Sequence, residues 1–212
     1  IVVAPGANAL VDEVNARAAA GSGARVLVVQ AEIPVSAVTA ALAFGRDAGV
    51  TTVLNLAPVP EPPVDGLLGM ADWVVVNLGE AARLLEQADK ENEKPANGVP
   101  ADFRVNGCLA AARLRRAGAR GVVVTMGARG AAVDSGADRL AVPAPDTRAV
   151  DTTGAGDAFV GAFTVALGRG CPVGQAVAFG CAAGAAATRR RGALPSLPRE
   201  ADLHAVEVSQ PG

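Results

Sequence analysis

The run Asp151-Thr-Thr-Gly-Ala-Gly-Asp157 is followed by Ala-Phe-Val-Gly-Ala-Phe-Thr-Val-Ala-Leu167. Phe159, Phe163 and Leu167 are spaced four apart, which predicts a helix with one buried face starting directly after the glycines. Backbone N–H groups in a glycine turn that leads into a helix form a concave anion site. A side chain at position 154 or 156 would block close approach of a phosphate or the dihedrals the turn needs. Asp157 stands at the rim of that hole. A carboxylate there would repel phosphate, but it can accept a proton from a substrate hydroxyl while the amides stabilise a transferring phosphoryl group. Taken alone, the run also fits an ordinary helix cap with an acid in the first turn. It is not a Walker A loop, since no Lys-Ser/Thr pair follows the glycines. The spacing and late position do not fit a dinucleotide fingerprint either.

Other polar residues fall at the ends of apolar runs. Asn77-Leu-Gly-Glu80 follows Trp73-Val-Val-Val. An amide and a carboxylate so placed can hold a hydrated Mg²⁺, or they can simply open a helix with an acidic first turn. Thr125 ends the run Gly121-Val-Val-Val and begins a Gly127-Ala-Arg-Gly130 turn, which is otherwise an ordinary strand–turn–hairpin. Gln30-Ala-Glu32 ends Arg25-Val-Leu-Val-Val, and Glu32 could accept hydrogen bonds from sugar hydroxyls or be a solvated strand-end acid.

The segment Val150-Asp-Thr-Thr-Gly-Ala-Gly-Asp-Ala-Phe159 resembles the C-terminal signature of the ribokinase-like (PfkB) carbohydrate kinase family. The resemblance implies that Asp157 is the catalytic base and meets the substrate. It makes Gly154, Ala155 and Gly156 the anion hole. Asn77 and Glu80 are similar to the family's Asn-x-x-Glu motif, which organises Mg²⁺ and phosphate. Val124-Thr-Met-Gly-Ala-Arg-Gly130 looks like its nucleotide loop. ATP contacts are thereby implied for Asn77, Thr125, Gly127, Ala128, Arg129, Gly130, Gly156 and Cys181. Glu32 matches a sugar-contacting Glu. Ala187-Thr-Arg-Arg-Arg-Gly-Ala-Leu-Pro-Ser196 resembles a loop that holds K⁺ in the family, and residue by residue the match implies Asp151, Thr153, Ala187, Arg190, Gly192 and Ser196 around the ion. By itself that loop reads as a helix end with a glycine stop.

The implied activity is ATP-dependent phosphorylation of a sugar's primary hydroxyl, with D-ribose to D-ribose 5-phosphate as the first reading. Fructose, 2-keto-3-deoxygluconate and nucleosides are the alternatives within the enzyme class. A non-catalytic remnant or interaction module that keeps the fold is the alternative outside it. ATP, Mg²⁺ and K⁺ are the implied cofactors, and a homodimer is implied for the complete family member.

These residues need a scaffold. Strands are expected at 1–4, 25–30, 50–56, 73–77 and 121–126, with helices near 9–20, 34–49, 79–88, 106–117, 156–168 and 172–188. Residues 131–142 read as a hairpin turning at Ser135-Gly136. Continuously apolar strands alternating with helices predict an α/β fold, a mostly parallel sheet covered on both faces. The resemblance makes it a ribokinase-like three-layer α/β/α sandwich forming one domain over 1–212. Ligands of such sheets sit beyond the C-terminal strand ends, which singles out Asn8, Glu32, Asn55, Asn77 and Thr125. The polar, Pro- and Gly-punctuated stretch 87–107 is expected to be an exposed insertion.

With 212 residues, half of them hydrophobic, the chain can build one substantial core. A net charge of −2 without a basic arm argues against nucleic acid, since Arg189-Arg190-Arg191 is only a short cluster. Three scattered cysteines suggest neither a disulfide framework nor a zinc site, and the lone histidine, His204, makes a His-containing triad hard to build. The sequence has no apolar run long enough to span a membrane and no evident signal peptide, so a cytoplasmic location is expected. The resemblance also predicts an N-terminally truncated, partial fold, without the family's lid and sugar-gripping strands. An exposed sheet edge and poor sugar phosphorylation by this chain alone are its expected consequences.

Overall fold

A computed structural model describes residues 5–19, 23–61, 65–91 and 106–207. The strand expected at 1–4 lies outside these residues, as does 92–105 of the polar stretch.

The sheet is built from β1 (Val26–Gln30), β2 (Thr51–Asn55), β3 (Trp73–Asn77), β4 (Gly121–Thr125), β5 (Ala131–Asp134) and β6 (Arg139–Val142). Their order in space is their order in sequence. The pairs β1–β2, β2–β3 and β3–β4 are parallel, while β4–β5 and β5–β6 are antiparallel. The hairpin from β5 to β6 turns at Ser135-Gly136, where Asp134 accepts the N–H of Gly136 and pairs with Arg115 and Arg139. Asp134 is fully buried, so these partners offset its desolvation.

Parallel strands added in one direction through right-handed crossovers put their helices on one face. The helices α1 (Glu13–Ala19), α2 (Val35–Asp47), α3 (Asp65–Leu68), α4 (Leu78–Glu91) and α5 (Gly107–Arg116) all contribute to a core with Leu54, Val74, Val76, Val122 and Val124. The other face needs later helices. There α6 (Ala155–Gly168) and α7 (Val173–Ala187) cover Val53, Val75, Val123 and Val133. A short helix, α8 (Glu200–Glu207), packs against α7 through Leu203.

The truncated sandwich expected from the sequence is corrected at this level. All three layers are present, and the central strands are sealed on both faces, with Val53, Leu54, Val74 and Val123 at 0% exposure, while Val28 on the edge strand β1 stays exposed as the expected sheet edge would. Enough apolar helix is present to close both faces of the central strands β2 to β5. Helix α4 also runs on to Glu91 rather than ending near 88, so 87–91 are helical and not loop. Residues such as Gln87, Ala88, Lys90 and Glu91 are good helix formers despite their polarity.

Helix ends follow local chemistry. Pro34 precedes α2, and Gly49 (φ +68°) ends it: Gly49 N–H donates to Arg46 O at 3.1 Å and Val50 N–H to Gly45 O at 2.8 Å. That is a Schellman closure. Helices α6 and α7 approach closely because α7 is lined with small residues. An added Cβ at Gly180 would lie 2.9 Å from the Phe159 ring.

Alternation along the strands has a consequence for the site. Val53, Val75 and Val123 face α6 and α7, so the residues two further on, Asn55, Asn77 and Thr125, point to that same side at the C-terminal strand ends. Gln30 is in register with Asn55 and joins this row.

Candidate active site

Gly154 adopts φ +77° and is the N-cap of α6. A β-carbon there would be strained by the backbone angle and would lie 3.5 Å from Ala193. The turn before it is tied down by Thr152 O, which accepts the N–H of Ala155 at 3.2 Å. The amides of Gly156 and Asp157 follow in the first helical turn, where no preceding helical carbonyl is provided for them. No neighbour lies within 4 Å of an added Cβ at Gly156, so this part of the turn is open.

Asp157 is the third residue of α6 and is exposed. Its Oδ1 accepts a hydrogen bond from Gln30 Nε2 at 3.2 Å. Glu32 lies two residues beyond Gln30, exposed in the turn after β1. Asn8, also singled out from the sequence, is exposed in a 3-10 turn over Gly6–Leu10.

Asn77 and Glu80 cap one another. The Asn77 N–H donates to Glu80 Oε2 at 2.7 Å, and the Glu80 N–H donates to Asn77 Oδ1 at 2.9 Å. This reciprocal capping box starts α4. Burial pushes the Glu80 carboxyl above its usual range, against the lowering effect of the Asn77 bond and of Arg83. One oxygen of each side chain therefore has a structural duty, which leaves Glu80 Oε1 for a further partner.

A cavity of about 250 Å³ opens beside the start of α6. It is lined by Thr125, Gly127, Ala128, Gly130, Gly156 and Cys181 among others, so the sequence-expected nucleotide residues do converge. Arg129 and Asn77 stand outside the described lining. Thr125 is in register with Asn77 and donates through Oγ1 to Val76 O at 3.4 Å. Gly130 (φ +92°) cannot carry a side chain, because a Cβ would meet Val142 O at 1.9 Å. Burial raises the Cys181 thiol to about 11, which fits a packing role and not a nucleophile.

Sequence reasoning missed part of this wall. The segment from Ala144 to Thr147, Thr152, Gly184 and Thr188 also line the cavity. The segment is an irregular strand exit around Pro143 and Pro145, with no periodicity to flag it. Gly184 could have been found, since it lies one helical turn after Cys181 on the small face of α7.

The loop after α7 folds back onto the run before α6. Asp151 Oδ1 accepts the N–H of Thr153 at 3.0 Å and its hydroxyl at 2.7 Å, while Oδ2 accepts the N–H of Gly192 at 2.8 Å. These bonds, Gly192 first, lower the Asp151 carboxyl to about 2. Ser196 is buried and donates to Ala193 O at 2.7 Å, with Thr153 O at 3.5 Å. Ala187 ends α7, and its carbonyl accepts the N–H of Arg190 at 3.4 Å. All six residues expected around a monovalent cation thus belong to one pair of apposed segments. Among the described residues no cluster of three or more His, Cys, Asp or Glu has metal-binding geometry, and none of the helices is long and apolar enough to cross a membrane.

The pfkB family carbohydrate kinase model matches residues 5–200. The chain belongs to that family. It is 34% identical over 201 residues to a ribokinase of Schizosaccharomyces pombe, covering 93% of this chain and 60% of that one. It is 32% identical to a ribokinase of Haemophilus influenzae, covering 98% and 64%. The fold matches the crystal structure of ribokinase from Thermotoga maritima with a TM-score of 0.77 at 27% identity, over 98% of this chain and 65% of that one. An Arabidopsis thaliana ribokinase complexed with ribose and ATP matches with a TM-score of 0.74 at 26% identity, over 92% and 57%.

The chain therefore spans between 57% and 65% of the length of these relatives. Along its own length the likeness is nearly complete. Within this span the expectation of a partial fold is corrected: the family fold runs through 98% of this chain.

Proposed function

We propose that this PfkB-family chain catalyses ATP-dependent phosphorylation of a sugar's primary hydroxyl, and that the sugar is D-ribose. The observation that carries the reading is the position of the α6 N-terminus. It stands between the cavity at Thr125, Gly127 and Cys181 and the strand-end row that begins with Gln30. A nucleotide in the cavity would lay its phosphates against the open backbone at Gly156, and a sugar above the strand ends would reach Asp157. Ribose is favoured over the other sugars because the relatives just described are ribokinases, one of them complexed with ribose and ATP.

In this reading Asp157 takes the proton of the attacking hydroxyl as its oxygen bonds to the terminal phosphorus of ATP. The bond from that phosphorus to the bridging oxygen breaks, and ADP leaves. The amides at the start of α6 stabilise charge on the transferring group. The N–H of Ala155 is held by Thr152 O, so Gly156 carries more of this role than the sequence alone suggested. Glu32 is proposed to contact the sugar.

Two cations fit the residues present. Glu80 has an uncommitted carboxylate oxygen beside Asn77, suited to the water shell of Mg²⁺, which supplies charge neutralisation on the phosphates. The apposed segments 151–153 and 187–196 are rich in carbonyl, hydroxyl and carboxylate oxygens, the donor type K⁺ takes. Asp151, ionised down to about pH 2, gives them a permanent negative charge beside the anion hole.

A coupled assay of ADP release with ATP, ribose, Mg²⁺ and K⁺ tests the proposal. Ribose-dependent turnover is expected, and Asp157→Asn should lower kcat by about 10²–10⁴-fold. ADP release indifferent to ribose, or an Asp157→Asn variant as fast as the wild type, would sink it.

A further inference from the structure

We infer that Gln30 is a positioning residue for Asp157, holding the carboxylate in one rotamer so that Oδ2 faces the sugar hydroxyl. The inference rests on the reading of Asp157 as the base and adds a residue to which no role has been given. Gln30 Nε2 donates to Asp157 Oδ1 at 3.2 Å, joining residues 127 positions apart in sequence. An ionised carboxylate only accepts, so the amide must turn its nitrogen to Asp157, and its carbonyl is driven away from it.

The frame that carries Gln30 is rigid. It is the last residue of β1, in register with Asn55, and the next N–H, of Ala31, donates to Asn55 O at 3.1 Å. Asp157 is exposed and sits on a helix start, so without a partner its side chain would sample several rotamers. A fixed strand end reaching across to it removes that freedom.

A second observation points the same way. Asn55 is 7% exposed, and its Oδ1 is buried without a hydrogen-bond partner. It lies beside Gln30 in register, one strand spacing away (about 4.8 Å) and on the same face. The Gln30 amide has two N–H groups and uses one on Asp157. The other can serve Asn55 Oδ1 with a small side-chain rotation, giving a chain of amides from Asn55 through Gln30 to the carboxylate. Leaving a buried acceptor unpaired is costly, which favours that closure. Closing it fixes the amide plane, and with it the position of Asp157.

The test uses Gln30→Met, which keeps length and volume but has no N–H, with Asp157→Asn as the companion. The expected result for Gln30→Met is a kcat lower by about tenfold to a hundredfold, the range for a hydrogen bond to a charged group. KM for ATP should stay within about twofold, since the nucleotide cavity does not include Gln30. A Gln30→Met enzyme with wild-type kcat overturns the inference, while wild-type kcat in Asp157→Asn overturns the base assignment instead. A second arm does not depend on turnover. In a ¹⁵N-labelled chain, the Gln30 side-chain amide should resonate apart from solvent-exposed glutamines and shift in Asp157→Asn. An amide resonance at the exposed position, unchanged by Asp157→Asn, overturns the inference whatever the assay shows.

Discussion

Gly192 donates its backbone N–H to Asp151 Oδ2 at 2.8 Å, tying the loop after α7 to the turn that opens α6. Asp151 also takes both the N–H and the hydroxyl of Thr153. One carboxylate thus shapes the entry to the proposed anion hole and the apposed loop together.

That arrangement sets a pH dependence. The folded Asp151 titrates at about 2 against 3.8 for the free group. Stability from its bonds is complete above about pH 3.8 and is lost as pH falls through 2. Asp151→Ala should melt below the wild type at pH 6, and the gap should close between pH 4 and pH 2. Calorimetry across that range checks it, and a gap of constant size would show that the bonds to the carboxylate are not the cause.

The capping box separates the structural duty of Asn77 and Glu80 from the chemical duty proposed for them. Asn77→Ala removes a cap and should cost about 1 kcal/mol in urea unfolding. Glu80→Gln keeps an acceptor for the Asn77 N–H and drops the burial penalty on charge. Because the folded group titrates above 4.5, that penalty is full at neutral pH and vanishes below 4.5. Glu80→Gln should therefore be at least as stable as wild type at pH 7, show no such advantage at pH 4, and yet lose roughly tenfold in kcat, a loss of the size expected when a general charged contact is removed. Reduced stability at pH 7 would contradict the desolvation account.

Gly156→Ala isolates the proposed anion hole. Its Cβ would meet nothing within 4 Å, and alanine is the better helix former by about 1 kcal/mol. The melting temperature should hold or rise. The methyl group would project into the open turn and keep a phosphate at a distance, so kcat should fall by at least about tenfold, approaching the loss seen when one anion-hole donor is removed. A Gly156→Ala chain with normal turnover would place the phosphate elsewhere.

Much of the scaffold was legible because its signals are local. Trp73–Asn77 and the hairpin at Ser135-Gly136 are written in short apolar runs and turn residues, and helix α6 begins one residue from where the phenylalanine spacing put it. The cavity residues proposed to meet the nucleotide came from the family resemblance, since the strand end and glycines alone read as an ordinary strand–turn–hairpin. What was not legible depends on contacts far apart in sequence. Nothing near Gln30 indicates that it meets Asp157, and nothing around Ala144–Thr147 marks it as a cavity wall. Helix α4 outran its expected end because polarity was read as loop, although Gln, Lys and Glu sustain helices well.

The division of helices between the two faces has a consequence during synthesis. Strands β1 to β4 leave the ribosome together with the helices that cover one face, whereas the valines at 53, 75 and 123 wait for α6 and α7. A nascent chain halted before residue 155 would present a sheet with one bare apolar side, the kind of surface that chaperones bind and that drives aggregation. Asp157 arrives with the first of the missing helices, so the event that rescues the nascent sheet from exposure also delivers the proposed base to Gln30.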